Sequence, residues 1–224
     1  MNKKLLYRLI LYFLGMVILA LGLALNPKTS LGVSAIVSVA YSISCVYDLN
    51  FGNATLGLYV FFVVIEIIIH LARGMKKNAL TDLLQILISV IFTRFLNLFT
   101  DRIPYLTSPE MAGTFFGSMP GRILVLCAAI ILTGIGAALS MNMRIVPNPG
   151  DGIVQTIADA TGKGTGFIKN CVDFTCVGFS CLFGLLAAGK IVGIGIGTVL
   201  AMIFVGRVIA VFNHFTKKYT DKLL

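Results

Sequence analysis

Apolar residues fill most of the chain in long runs, separated by short polar stretches that carry glycine or proline. The runs fall at about 5–25, 31–47, 54–72, 79–99, 121–141, 151–161, 166–188 and 191–213. An α-helix rising about 1.5 Å per residue needs roughly 20 apolar residues to cross about 30 Å of hydrocarbon. The run at 151–161 is too short. It follows Val146-Pro147-Asn148-Pro149-Gly150-Asp151-Gly152, where two prolines and two glycines stop any helix from passing through. The pattern predicts a helix of two or three turns after this break, ending near Gly162. Broken backbone at membrane depth is tolerated only where protein or a water-filled cavity covers it. A short helix placed there aims its unpaired N–H groups and positive dipole end at whatever occupies that space.

Composition agrees with the pattern. The chain is 58% hydrophobic and 12% charged, with a mean hydropathy of +0.96. These values predict an all-α, polytopic helical membrane protein forming a single membrane domain. The net charge of +9 would suggest nucleic acid in a soluble protein. Here the cations stand at segment ends, where they act as topology signals, so no nucleic-acid partner is expected. Cys45, Cys127, Cys171, Cys176 and Cys181 lie in apolar runs without a C-x-x-C pair and are read as packing residues. Lys3 and Lys4 before an apolar run imitate a signal peptide with Gly22 and Ala24 at a cleavage site, but the run is long and is read as a retained first helix.

A connection at 100–120, with Pro104, Gly113 and Pro120, separates repeat one (1–99) from repeat two (121–213) and a basic tail (214–224). Leu21-Gly22-Leu23-Ala24-Leu25 is similar to Ile135-Gly136-Ala137-Ala138-Leu139, an offset of 114. Ser34-Ala35-Ile36-Val37 is similar to Asp151-Gly152-Ile153-Val154 at 117, and Arg94 and Phe99 match Arg207 and Phe212 at 113. If all eight segments span in parallel repeats, loop cations split ten inside to six outside. If 31–47 and 151–161 are re-entrant, twelve lie inside and four outside, which fits the positive-inside rule better. The four are Lys28, Arg102, Arg122 and Lys190, and the twelve include Lys76, Lys77, Lys217, Lys218 and Lys222. Three spans per half then invert one repeat against the other, a plan common among transporters, with both termini cytoplasmic.

A long first helix, a polar break, a short helix and a further apolar pair, all repeated, resemble the YitT/YczE-like family of bacterial membrane proteins. Leu31-Gly32 and Pro149-Gly150-Asp151-Gly152 are the most recognisable pieces, and the resemblance covers nearly the whole chain. It implies an inner (plasma) membrane protein of bacteria. It supplies no substrate and no catalytic residue.

Candidate chemistry rests on few groups. Asp151 opens the short helix, where it would serve as an N-cap or bind a cation or proton. Its counterpart by this alignment is Ser34, so a shared site would carry one carboxylate. Asp173 lies within an apolar helix four residues after Lys169, either as an intrahelical pair or as a coupling group. Glu66 precedes His70 by one turn, an arrangement that reads as an interfacial pair or a coupling site. Asp82 is read as a helix N-terminal charge, and Gln85 as a supplementary hydrogen-bond donor. Arg94 and Arg207, repeat-matched, would give an electropositive cavity suited to an anion or a zwitterion, unless they pair with Asp173 or Glu66.

The expected function is therefore a membrane transporter of a small solute. Asn148, Gly150, Asp151 and Gln155 from one half and Ser30, Gly32 and Ser34 from the other would line a midplane site. Arg94 and Arg207 would add positive potential, and Asp151, Asp173 or Glu66 would couple a proton or ion. The alternatives are a membrane scaffold or accessory subunit, and a passive channel. Gly193-Ile194-Gly195-Ile196-Gly197 lacks the setting of a dinucleotide fingerprint and is read as a close-packing stretch; Gly162-Lys163-Gly164-Thr165 is not a P-loop. With two histidines and no metal-ligand spacing, no enzyme, cofactor or metal is expected. The expected partners are the lipid bilayer and the solute; glycine-lined helix faces such as Gly22 and Gly136 permit close helix contacts, either within one chain or between chains of a homo-oligomer.

Overall fold

The computed structural model describes residues 3–223, the side chains of residues 76, 77, 217 and 220–223 excepted. The expected cytoplasmic charges at Lys76, Lys77, Lys217 and Lys222 thus lie outside the described residues. The helices are α1 (Lys3–Lys28), α2 (Ser38–Val46, entered through a 3-10 turn at Ala35–Val37), α3 (Phe51–Ala72), α4 (Lys76–Arg102), α5 (Met119–Asn142), α6 (Pro149–Thr161), α7 (Thr165–Ala188) and α8 (Ile196–Leu223). Among the described residues there is no strand. Six helices are long and apolar enough to cross a membrane; α2 and α6 are not among them. Outward positions such as Phe61, Ile68, Leu87, Phe174 and Leu186 are exposed and apolar, as contact with lipid tails requires. The expected basic tail 214–224 continues α8 as helix through Leu223.

The chain divides into two compact units. The first comprises α1, α5, α8 and the end of α4 with its following loops. In it α1 and α5 pack antiparallel through glycines. A Cβ on Gly22 would lie 2.6 Å from the Thr133 nitrogen and 2.9 Å from the Ala129 oxygen. One on Gly136 would lie 2.7 Å from the Leu19 Cα and 2.8 Å from the Gly15 oxygen. Residues 129, 133 and 136 stand 114 positions after 15, 19 and 22, so each contact recurs with the helices exchanged. The contact is thus self-complementary at these positions. Small residues permit this backbone approach, which replaces the hydrophobic drive that lipid tails do not provide. Leu126 and Ile130 of α5 pack with Ala201 and Val205 of α8 and with Leu31. The loop before α2 is tied to the start of α8 by Gly197 N–H to the Leu31 carbonyl at 2.8 Å and Val33 N–H to Thr198 Oγ1 at 3.1 Å. Gly32 has a φ of 142° and abuts Thr198 so closely that a Cβ would lie 2.6 Å from its nitrogen.

Contacts between helix ends decide the number of crossings. Leu106 N–H donates to the Lys28 carbonyl at 2.8 Å, and Arg122 Nε to the Thr29 carbonyl at 2.7 Å. The Lys28 ammonium sits 4.1 Å over the Tyr105 ring. The ends of α1 and α4 therefore share one face, and the chain between them must cross an even number of times. Helices α3 and α4 do so. At the other face Arg8 donates to the Met143 carbonyl at 2.7 Å, and Asn142 Nδ2 to Asn213 Oδ1 at 2.8 Å, so the ends of α5 and α8 obey the same parity. Six candidate spans fit this parity, whereas eight would put three crossings in each interval. The segment at 31–47 is not a helix of spanning length, because residues 29–34 are held as loop and α2 itself has only 9 residues.

Candidate functional site

The second unit comprises α2, α3, α6, α7 and most of α4. Within it α3 packs on α6 and α2 packs on α7. Pro149 opens α6 because its missing N–H costs nothing there, and Gly162, at a φ of 69°, ends it. The N-cap is Asn148, whose side chain accepts from Gly150 N–H at 3.2 Å. Asp151, read from sequence as the cap, lies one turn further in and is only half-buried, because the proline fixes the cap one residue before itself. The mouth of α6 meets the mouth of the first short segment. A Cβ on Gly150 would lie 3.2 Å from Ile36 Cγ1, 3.8 Å from Asn148 Oδ1 and 3.8 Å from the Tyr59 ring.

One turn along, α3, α4 and α6 enclose a polar centre. Glu66 and Gln85 are each 1% exposed, with Asp82, His70 and Thr156 buried beside them. Gln85 Nε2 donates to Glu66 Oε2 at 2.8 Å and to Asp82 Oδ1 at 3.3 Å. His70 Nδ1 lies 2.6 Å from Asp82 Oδ2, and Thr156 Oγ1 donates to Glu66 Oε2 at 3.4 Å. Gly152 makes the approach possible: a Cβ there would fall 2.7 Å from Gln85 Oε1 and 2.9 Å from both Glu66 oxygens. Among the described residues, Glu66 Oε1 and Gln85 Oε1 have no hydrogen-bond partner. The Glu66–His70 pair expected along one helix does not form; α4 supplies a nearer partner to each. Asp82, read as a helix-end charge, is instead 5% exposed and holds His70.

A second polar contact joins α2 and α7. Ser42 and Ser180 hydroxyls lie 2.5 Å apart, Ser180 donates to the Ser38 carbonyl at 3.2 Å and Ser42 to the Val192 carbonyl at 2.9 Å. Ser180 stands 114 residues after Glu66, Gly152 114 after Ser38, and Thr156 114 after Ser42. The two centres therefore use the same three positions with the halves exchanged. Ile36 and Gly150, which touch each other, are also 114 apart. At the short helices the offset of 117 read from sequence gives way to 114, pairing Ser34 with Asn148 rather than with Asp151.

The remaining expected residues are placed as follows. Asp173 is 2% exposed and its Oδ2 accepts from Lys169 at 2.9 Å, the intrahelical pair, while Oδ1 has no partner among the described residues. Asp151 stands in the fields of both. Gln155 is exposed and donates to Asp159 at 2.8 Å; Thr156 is the α6 residue that faces the centre. Arg94 is exposed and donates to Asn53 at 2.7 Å. Arg207 is exposed and lies 5.2 Å over the Phe204 ring. Neither arginine pairs with Glu66 or Asp173. In the first unit Ser34 is buried, Gly32 is packed on Thr198, and Ser30 is exposed with its hydroxyl 3.0 Å from that of Thr107. Among the described residues no group of three or more His, Cys, Asp or Glu gathers to hold a metal ion.

Residues 6–214 match the model of a family of unknown function, DUF6198. The chain belongs to this family. It is 25% identical over 211 residues to the uncharacterized membrane protein YczE of Bacillus subtilis (strain 168), covering 93% of this chain and 86% of that relative. The relative supports a multi-pass membrane protein and the resemblance read from the sequence. No solved structure matches the chain.

Proposed function

We propose that the protein is a membrane transporter of a small solute, built from two inverted repeats whose short helices α2 and α6 enter the membrane from opposite faces. The observation that carries this reading is the meeting of their mouths at Ile36 and Gly150, directly beside buried, incompletely paired polar side chains. At about 1.5 Å per residue the 13-residue α6 is about 20 Å long and the 9-residue α2 about 14 Å, so two such segments entering from opposite sides reach each other within about 30 Å of hydrocarbon. The antiparallel α1–α5 contact and the exchange of equivalent positions between α2–α7 and α3–α6 support the inversion. Such a pair of interchangeable contacts gives alternating access: one opens as the other closes. With the N-terminus cytoplasmic, Arg8 and Arg144 share the inner face, as the cation count requires.

The expected anionic or zwitterionic solute rested on Arg94 and Arg207 lining a cavity, and both are exposed. Asp151, Asp173, Lys169, Tyr59 and Asn148 around the α6 mouth favour a zwitterion or a small organic cation. A scaffold would have its intramembrane polar groups paired internally; Glu66 Oε1, Gln85 Oε1 and Asp173 Oδ1 are not. The test is flux into proteoliposomes, screened across amino acids and small amines, in a cysteine-free variant carrying Ser42→Cys and Ser180→Cys. A screened solute should enter, a disulfide across the α2–α7 contact should stop it, and reduction should restore it. Flux that ignores the cross-link would sink alternating access, and no flux for any solute would favour the scaffold.

A further inference from the structure

The Glu66 centre has too few donors for its acceptors. Its oxygens are Glu66 Oε1 and Oε2, Asp82 Oδ1 and Oδ2, and Gln85 Oε1; its donors are the Gln85 amide, the Thr156 hydroxyl and one His70 nitrogen. Glu66 Oε1 and Gln85 Oε1 both lie within 3 Å of the point where Gly152 lacks a Cβ, and neither has a partner. Rotating the Gln85 amide does not help, because its oxygen would then face Glu66 Oε2 and Asp82 Oδ1. Two carboxylates that share one amide in a dry interior repel when both are ionised, and an unmet acceptor there costs about 1–3 kcal/mol. A hydrogen on Glu66 Oε1 would supply the donor that the centre lacks.

We propose that Glu66 is the proton-binding site of the protein, with its Oε1–H directed at Gln85 Oε1 and the bound proton holding α3, α4 and α6 together at Gly152. This deepens the transporter reading and rests on it: the proton is the coupling ion, and only one of the two exchangeable contacts carries it. Release leaves a carboxylate at Glu66 beside Asp82, so the contact at Gly152 opens to let water or solute replace the lost donor. Asp82 and His70 mark the release side, toward the end of α3, where Arg73 Nη1 caps the α6 terminus by donating to the Asp159 carbonyl at 3.0 Å. The charged and titratable groups facing Glu66 are His70 on its own helix and Asp82 on α4; α6 presents only Gly152 and Thr156.

The test uses the full chain in lipid nanodiscs with no solute added. Infrared difference spectra between acid and alkaline pH should contain, among the protonated-carboxyl bands, one component that belongs to Glu66. Glu66→Gln should remove that component, Gln85→Leu should shift it, and Glu110→Gln, in an exposed loop, should leave it. In a cysteine-free background, a thiol at Ile153→Cys should react several-fold faster with maleimide as pH rises, and Glu66→Gln should keep it slow at every pH. A carboxyl region that Glu66→Gln leaves unchanged overturns the proposal. So does the absence of any band, and so does protection of the thiol by sodium at fixed pH, which would make the occupant a metal cation. If Glu66→Gln does not fold, the Gln85→Leu shift and the pH dependence of the thiol decide. Because the titration needs no solute, failure of the flux screen and failure of the proton site are read independently.

Discussion

The α3–α6 and α2–α7 contacts occupy equivalent positions 114 residues apart and solve the same packing problem with opposite chemistry. At Ser38, Ser42 and Ser180 three small hydroxyl residues meet: Ser42 donates to the Val192 carbonyl, the Ser180 proton is shared between Ser42 and the Ser38 carbonyl, and the Ser38 hydroxyl has no partner among the described residues. At Gly152, Thr156 and Glu66 the long carboxylate fits because its partner has no side chain at all. The missing side chain at Gly152 makes room for the larger Glu66, and charge is not conserved across the pair. A hydroxyl both donates and accepts, so the serine centre satisfies most of its own needs; a carboxylate only accepts, so the glutamate centre depends on α4 for Gln85 and on one further donor. In a low-dielectric interior that difference separates a latch that is indifferent to pH from one that answers to it.

The sharpest way to break the comparison is to place the charge in the wrong centre. Ser180→Glu should destabilise the protein by about 3 kcal/mol, the approximate cost of an acidic residue at mid-membrane, because no Gln85 equivalent bonds to Ser180. Thermal unfolding in nanodiscs measures it, and a loss below the scatter of surface variants would mean the serine centre already contains water. Next in size is Gly152→Ser, which puts a side chain against three oxygens and should cost about 2 kcal/mol by overpacking. Adding Glu66→Ser converts the site to the serine pattern and should recover most of that loss while abolishing the infrared band. If the double variant is no more stable than Gly152→Ser alone, the two centres are not interchangeable.

How far the sequence showed this follows from where each signal resides. The eight segments and the short helix ending at Gly162 are local periodicities and breaks, legible to within about five residues except at the end of α8, which continues to Leu223 rather than stopping near 213. Asn148 as cap was missed because Asp151 carries the charge, although Pro149 already fixes the first helical position. The Glu66 centre was half legible: Glu66 and His70 share a face of α3, but Asp82 and Gln85 reach them from α4, and spacing within one helix says nothing about its neighbour. Arg94 and Arg207 misled because matched positions were taken to be inward-facing, whereas both are exposed. A constant offset of 114 applied to every buried polar residue would have linked Glu66 with Ser180, and Gly152 with Ser38, from sequence alone.

The glycine contact between α1 and α5 offers a comparison that should come out equal. Gly22→Ala and Gly136→Ala each push a methyl group into the facing backbone, and each should cost about 1 kcal/mol. Equal losses in the unfolding temperature are what a local twofold predicts. A loss at one and tolerance at the other would mean that the halves meet at different separations and that the symmetry ends at the level of sequence.

The smallest effect concerns the order of the serine bonds. Ser42 has one proton, and the Val192 carbonyl at 2.9 Å claims it; the hydrogen at 2.5 Å must then come from Ser180, which has the Ser38 carbonyl at 3.2 Å as a second outlet. Ser180→Ala therefore removes a donor whose acceptors keep other partners. Ser42→Ala instead leaves the Val192 carbonyl without that donor. The expected losses are about 0.6 kcal/mol for Ser42→Ala, typical of an interhelical bond in a membrane, and less for Ser180→Ala. The double variant should lose little more than Ser42→Ala, because the bond between the two hydroxyls is broken once in either case. Strictly additive losses would mean that each serine bonds on its own account, and the α2–α7 contact would then lack the shared hydrogen bond that lets it close as a unit.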